Sequence, residues 1–362
     1  MSKYAIVLAG GLGIKFWPKS RESCPKQFIH LFGDGTFIQN TYKRLNKYFS
    51  KDNIFFVCPK EFKNLLIEQL PDVNDENIIL EPFGRNTAPA TALALEYMLY
   101  KGIDIDSTVA VFPSDHIINN LGEFYESLDD AFEVAKKFNS IVTIGISPLR
   151  PETQYGYIQI NAEEPLELFE SRKVFNCLTF AEKPDIGTAI RFYESGDFLW
   201  NSGIFVWKIS LFKKVFKEYL PEYYDKIKNL EILFGKSNYE QELRIIYKQL
   251  NSISLDYGIL EKYNDVKCVK ADFFWSDISN WDELHRLQLK DANNNVLEGN
   301  IVSIENKNCI VKSESKLIAI VGVDDLIVIE GKDAILICNK GESDRVQEVV
   351  EFLRRNFINN HL

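Results

Sequence analysis

The sequence predicts an α/β chain. A Rossmann-like, doubly wound mixed sheet is expected over residues 1–290, and a small β-rich domain with a terminal helix over residues 291–362. Two observations carry this. Short apolar runs alternate with helical patterns through residue 146, as strands covered on both faces by helices do. After the polar stretch DANNN at 291–295 the composition shifts to brief β-branched runs at roughly ten-residue spacing, which reads as an all-β unit.

The first run, residues 3–9, is almost continuously apolar and ends in glycines, so a central parallel strand is expected there. Further strands are expected at 53–58 (NIFFVC), 77–80 (NIIL), 108–112 (TVAVF) and 140–146 (SIVTIGI). Helical patterns separate them at about 36–49, 60–70, 86–101 and 121–138. In the last of these, Phe124, Leu128, Ala131, Phe132 and Ala135 keep three-and-four spacing and should face the sheet. Beyond 150 the order becomes mixed, with strands near 157–160, 174–182 and 203–208, an elaboration of the same domain. The tail supplies NIVSI, CIVK, LIAIVGV, DLIVIEG and DAILIC as short strands. In its closing helix Val346, Val349, Val350, Leu353 and Phe357 line one face, expected to pack on its own domain or on a second copy.

With 362 residues, 46% of them hydrophobic, the chain can bury a sizeable core. A formal net charge of −10 argues against general binding to nucleic acid or anionic membrane, which needs broad basic surface. Cysteines at 24, 58, 177, 268, 309 and 338 are scattered, with no CxxC and no zinc-ligand spacing, as in a reducing compartment. The apolar stretch 4–9 is too short for a signal-peptide core, and no run reaches membrane-span length. A cytoplasmic protein is expected, with no nucleic-acid and no membrane partner.

Against this acidic background the loop after the first strand gathers Lys15, Lys19, Arg21 and Lys26, opposed only by Glu22. The carboxyl ends of strands form the ligand crevice of an open α/β sheet, so a local anion site is expected. The loop is not a dinucleotide fingerprint, because Phe16 stands where the third glycine is needed, and it has no Gly-Lys pair for a P-loop. On the loop alone, a glycine turn with a solvated basic flank stays open.

The run from Leu8 to Phe28 reads LAGG-x-G-x-(K/R)-x-W-P-x-S-R-x-x-x-P-K-Q-F. It resembles the signature of nucleotidyltransferases that join an NTP to a sugar 1-phosphate. Its W-P and P-K-Q-F details resemble the mannose-1-phosphate guanylyltransferases among them. Further matches follow in the family's order: EPFGRNTAPA (81–90), FPSDH (112–116), PETQYGYIQ (151–159), FAEKPD (180–185), WNSGIFVW (200–207), SLDYGILEK (254–262) and WSDISNW (275–281). The resemblance covers essentially the whole chain, and it implies a nucleotidyltransferase domain followed by a β-helix-like tail. It also implies GTP and mannose 1-phosphate as substrates, GDP-mannose and pyrophosphate as products, Mg²⁺ as cofactor, and a place in polysaccharide synthesis, while the tail's exposed strand edges and amphipathic helix lead us to expect self-association as a homodimer.

Carried over position by position, the resemblance assigns Leu8, Ala9, Gly10, Gly11, Gly13, Asn86 and Pro89 to the nucleotide. It assigns Lys15, Lys26 and Lys183 to the reacting phosphates, Gly156, Glu182 and Asn201 to the sugar, and Asp115 and Asp277 to the metal. The chemistry suits these residue types. A phosphate monoester has its second ionisation near pKa ~6, so the nucleophile is already charged and needs no general base. Positioning two polyanions and neutralising charge is the work, which a chain with 4 histidines can do. Glycines let backbone N–H groups approach phosphate. Mg²⁺ takes one or two carboxylates beside phosphate and water.

Several of these residues also have plainer readings. Asp115 could cap a helix, Asn86 could cap the helix after it, Glu182-Lys183 could be a solvated ion pair, and the NSG of 201–203 could be edge packing. His116 reads as a packed or hydrogen-bonded side chain. The sequence departs from the family at Lys15, usually Arg, at Ile14, usually small and polar, and at Phe16, usually Leu. Lysine lacks the guanidinium fork, so the triphosphate would be held less rigidly. The departures keep two other functions in view: a non-catalytic GDP-sugar-binding regulatory subunit, and a transferase for another pair such as glucose 1-phosphate with UTP. The cupin-type isomerase domain of some relatives is not expected within these residues.

Overall fold

The structure is a computed structural model that describes residues 2–166 and 174–362. Two compact units emerge: Met1–Gly10 with Thr41–Asp277, and Gly11–Asn40 with Ile278–Leu362.

The elements to residue 146 are β1 (Lys3–Leu8), α1 (Phe37–Leu45), β2 (Ile54–Pro59), α2 (Lys63–Gln69), β3 (Ile78–Glu81), α3 (Thr87–Tyr100), β4 (Thr108–Pro113), β5 (Ile117–Ile118), α4 (Leu121–Phe138) and β6 (Ile141–Ile146). Then follow β7 (Tyr157–Ile160), β8 (Val174–Ala181), α5 (Ile186–Ser195), β9 (Phe198–Lys208), α6 (Ile209–Tyr219), α7 (Pro221–Ile227), α8 (Tyr239–Lys248), β10 (Val266–Ala271) and β11 (Trp275–Ser276). Nine strands make one mixed sheet in the order β3-β2-β1-β4-β9-β6-β10-β8-β7.

β1 lies inside the sheet, parallel to β2 and β4, and Ala5, Ile6 and Val7 are fully buried. That double coverage is why its run is continuously apolar rather than alternating. α3 is apolar all round and buried from Ala88 to Leu95, so it runs through the core. α4 is amphipathic and buries the five residues its spacing selects. Among the described residues no helix is long and apolar enough to cross a membrane.

The sequence reading places a strand near 203–208, and the structure starts β9 at Phe198. Asn201, Ser202 and Gly203 look like chain breakers, but pairing overrides them. β9 lies antiparallel between β4 and β6, and its first half also pairs with β7. The register shifts between Thr143 and Gly145 of β6, and Gly203 takes φ 68. A residue with a Cβ is strained at that φ, which explains the glycine. The NSG segment is therefore interior to the sheet and not edge packing.

The second unit contains α9 (Trp281–Leu287), β12 (Val296–Glu298), β13 (Ile301–Ile304), β14 (Ile310–Lys312), β15 (Ile318–Val321), β16 (Leu326–Glu330), β17 (Ile335–Asn339) and α10 (Val346–Arg355). β12, β14 and β16 stack in parallel register, as do β13 and β15, while β17 closes antiparallel on β16. Like residues stack, as in Val296 on Ile310 on Ile327. Corners are fixed by buried asparagines. Asn306 donates to Ile320 O (2.9 Å) and accepts from Val323 N (3.0 Å), and Asn295 donates to Asn306 O (3.1 Å) and accepts from Cys309 N (2.9 Å). One expectation fails: Phe357 lies past the end of α10 at φ 57 and is 85% exposed. The left-handed turn ends the helical spacing before Phe357 can join the apolar face.

Trp281 anchors residues 11–40 to this unit. It is fully buried, packs edge-to-face on Phe16 at 5.1 Å, and donates from Nε1 to Trp17 O at 3.2 Å. Removing a buried Trp side chain costs about 3–5 kcal/mol. Trp281→Ala is expected to lose that much in urea unfolding, while Trp281→Phe, which keeps the ring contact, loses less than half of it.

Candidate active site

The first group of site residues forms where β4 ends. Asp115 follows β4 and precedes β5, and the residue at the head of α4 is Asn120, so Asp115 is not the cap of that helix. β5 pairs antiparallel with β11, Ile117 opposite Ser276, which carries Asp277 to the same place. One ligand atom each from Asp115, His116 and Asp277 lies within 4.8 Å of the others, a group that could hold a metal ion.

The chemistry of this donor set favours oxygen ligands. The Trp275 indole can only donate, so its Nε1 at 3.2 Å makes His116 Nδ1 an acceptor. The neutral ring then carries its proton on Nε2, 3.9 Å from Asp277 Oδ1. A protonated ring nitrogen is no ligand, which leaves two carboxylates as the oxygen donors such a group could offer a hard cation.

The second group lies on β7, β8 and β9. Gly156 O accepts from Asn201 N at 2.8 Å. A Cβ on Gly156 would stand 2.6 Å from Glu182 Oε2 and would push that carboxylate aside. Asn201 is held at both ends of its amide: Oδ1 accepts from Gly203 N at 3.1 Å, and Nδ2 donates to Asp256 Oδ1 at 2.9 Å. Burial, then the Glu182 charge, push Asp256 up to about 6. Lys183 is exposed, 3.2 Å from Glu182, and takes the left-handed φ of 43, a conformation costly for a side chain of this length.

Gly203 joins the two groups. Its amide meets Asn201, and a Cβ on it would lie 3.2 Å from Pro113 Cγ and 3.7 Å from His116 Cε1. The metal-competent carboxylates and the Asn201 pocket are thus neighbours within one unit.

At the ends of β1 and β3, Leu8 closes its strand and Ala9 N donates to Val57 O at 2.8 Å. Gly10 faces Glu81, whose Oε2 would lie 3.6 Å from a Cβ there. Glu81 is 3% exposed, and among the described residues its Oε1 has no hydrogen-bond partner. Burial raises it to about 8, against the pull of the nearby Tyr247 hydroxyl and the Arg85 amide. Asn86, at φ 69, caps α3 by accepting from Thr87 N at 2.8 Å, and Pro89 is buried in the first turn.

The remaining site residues belong to the second unit. Gly13 takes φ 58 and its Cα rests on Lys26, so a Cβ there would collide with the Lys26 side chain. Lys26 is 4% exposed, its ammonium 5.7 Å from the Phe16 ring centre and 5.3 Å from that of Phe37. Lys15 pairs with Asp344 at 2.6 Å. The loop's cations are not all reserved for a guest, as their concentration in the sequence suggested. Lys19 pairs with Glu314 and Arg21 with Asp333, acidic residues of the tail.

Sequence reasoning missed Glu81 and Asp256. Both stand in quoted motifs, EPFGRNTAPA and SLDYGILEK, but burial of a carboxylate leaves no local mark. The one available signal was an acidic residue directly after an apolar run, as in IILE.

The chain matches the nucleotidyl transferase family model over residues 4–294 and the MannoseP isomerase/GMP-like beta-helix domain over 299–353. It is 36% identical over 355 residues to a mannose-1-phosphate guanylyltransferase of Klebsiella pneumoniae, covering 97% of this chain and 74% of that protein. It is 35% identical over 350 residues to the alginate biosynthesis protein AlgA of Pseudomonas aeruginosa, covering 95% and 70%. In three dimensions it resembles a Thermus thermophilus protein described as a mannose-1-phosphate geranyltransferase, with TM-score 0.86, 31% identity, 98% of this chain and 100% of that one.

Glu81 supplies a stability test. Its folded value, about 8, lies above the ordinary carboxylate value of 4.5. Its contribution is therefore whole below the unfolded value and lost as pH rises through about 8. Glu81→Gln should stabilise the protein by about 2–4 kcal/mol more at high pH than near pH ~5 in urea unfolding. An equal effect at both would contradict the buried, protonated acid.

Proposed function

This chain belongs to the nucleotidyl transferase family, and from that premise we propose that it transfers GMP from GTP to α-D-mannose 1-phosphate, giving GDP-mannose and pyrophosphate. The observation that carries this reading is the meeting of Asp115 and Asp277, 162 positions apart (277 − 115), beside the Asn201 pocket. A two-carboxylate metal site next to a polar pocket is what a reaction between two phosphates needs.

In the reaction a phosphate oxygen of mannose 1-phosphate forms a bond to the α-phosphorus of GTP, and the bond from that phosphorus to the β-phosphate oxygen breaks. The sugar phosphate arrives ionised, so no residue of the chain has to remove a proton. Asp115 and Asp277 would hold Mg²⁺, which neutralises charge on the reacting phosphates. Glu182 and Asn201 orient the sugar by its hydroxyls, with Gly156 admitting it to main chain. Lys183, already displaced from regular backbone, supplies a cation for the sugar phosphate. Lys15 and Lys26 are assigned to the triphosphate, and Leu8, Ala9, Gly10, Gly11, Gly13, Asn86 and Pro89 to the rest of the nucleotide.

The same reading makes residues 1–290 the catalytic part of the sequence and 291–362 the part that self-associates into a homodimer in the cytoplasm. Exposed Ile304, Val321 and Ile337 on the tail strands support that association.

The test is pyrophosphate release from the full chain with mannose 1-phosphate and each NTP, with Mg²⁺ and with EDTA. Release is expected with GTP and Mg²⁺ alone. Loss of several kcal/mol of charge stabilisation slows a reaction by about 100-fold or more. Asp277→Asn is expected to do so at unchanged Tm, and undiminished turnover across a magnesium titration would overturn the metal assignment.

A further inference from the structure

Asp256 is a half-buried carboxylate on the irregular turn Asp256–Leu260, and the reaction above gives it no work. Its Oδ1 accepts a hydrogen bond from Asn201, so it acts on the sugar pocket through that residue.

An asparagine amide can face either way, and a pocket that reads hydroxyls must fix which way. Here two partners agree. The Gly203 N–H can only donate, so the atom it meets at 3.1 Å is Oδ1. The ionised Asp256 can only accept, so the atom it meets at 2.9 Å is Nδ2. With Oδ1 bound to its own backbone and one Nδ2 hydrogen given to Asp256, Asn201 has one N–H left.

Asp256 is itself fixed in place. Ile253 N donates to Arg85 O at 3.2 Å, Ala88 N to Ile253 O at 3.2 Å, and Leu255 N to Thr87 Oγ1 at 2.8 Å. A Cβ on Gly258 would come within 3.1 Å of Leu220 and 3.2 Å of Ile253, so the turn is packed tight.

We propose that Asp256 is a positioning residue for the acceptor sugar. By holding Asn201 Nδ2 it makes Asn201 an N–H donor, which together with the acceptor oxygens of Glu182 reads two hydroxyls of a hexose 1-phosphate. This rests on the functional reading above. The pocket then recognises a pattern, one hydroxyl that accepts and one that donates, and not merely a sugar of the right size. A hydrogen-bonding site of that kind rejects epimers that place a hydroxyl elsewhere, because its own buried groups are left unpaired.

The experiment measures binding of mannose 1-phosphate, glucose 1-phosphate and N-acetylglucosamine 1-phosphate to the full chain by calorimetry at high pH, where Asp256 and the sugar phosphate are ionised. It is paired with KM and kcat for both substrates. Asp256→Ala removes the acceptor and is expected to weaken mannose 1-phosphate binding by about 10-fold, with kcat and the KM for GTP changed by less than about 3-fold. Asp256→Asn keeps one acceptor and should recover most of the affinity. Asn201→Ala should cost a similar factor, and the double variant Asn201→Ala with Asp256→Ala should cost no more than Asn201→Ala alone.

Additive losses, or an Asp256→Ala protein that binds mannose 1-phosphate as the parent does, would overturn the proposal. So would equal losses for GTP and sugar phosphate, since a residue that only holds the fold together affects both. If Asp256→Ala unfolds, Asp256→Leu, which fills the same space without an acceptor, still decides through the sugar preference, which should relax toward the epimer. A parent protein that binds another hexose 1-phosphate with the same dependence on Asp256 keeps the pocket and discards mannose. A parent that binds none of the three discards both.

Discussion

One antiparallel strand governs the geometry of the larger unit. β4 and β6 run the same way but are not neighbours, because β9 is inserted between them in the opposite sense. Its register puts Phe205 beside Val111 and Lys208 beside Thr108, so the first half of β9 extends past the carboxyl end of β4. Asn201 and Gly203 are thereby carried to the level of Asp115 and His116. A parallel strand at that place would have delivered its opposite end, with Lys208, to the crevice. The left-handed glycine and the shifted register in β6 are the local cost of bringing polar side chains to the middle of a sheet.

Charge is managed in this molecule by placing it and then restricting its freedom. Asp256 is held on a packed turn, Lys26 is enclosed by aromatic rings, and Asn201 is tied at both ends. Each arrangement is completed on folding, so that little reorganisation is left for the moment of reaction. Glu81 differs, because burial raises it to about 8 and favours its neutral form. The carboxyl beside Gly10 therefore carries little charge below about pH 8.

Much of this was legible in the sequence. The strands from β1 to β6 and helix α4 follow from apolar periodicity, because a buried two-sided strand and a one-sided helix impose different spacings. The motif segments located Asp115, Glu182, Asn201 and Asp277, and the structure brings Asp115 to Asp277 and Glu182 to Asn201. What escaped was set by long-range pairing. Nothing local in LWNSG says strand, since Leu199, Trp200 and Asn201 gain their ladder from partners about 40 to 56 positions away. The ion pairs of Lys19 and Arg21 left no local mark for the same reason, because Glu314 and Asp333 lie 295 and 312 positions further on. Phe357 fits the helical spacing and fails it in space because Phe357 itself is left-handed, past the end of α10.

The second unit draws residues 11–40 together with 278–362, and everything from 41 to 277 comes between them in the chain. On the ribosome, the first of these segments emerges early and lacks the partners that residues 278–362 supply. Phe16 must wait for Trp281, and Lys15 for Asp344. The sheet of the larger unit can complete its ladders while the glycine loop is still an unshaped, partly apolar strand of nascent chain. A polypeptide released before Trp281 and Asp344 are made therefore carries the signature sequence without the contacts that hold Phe16 and Lys15 in place.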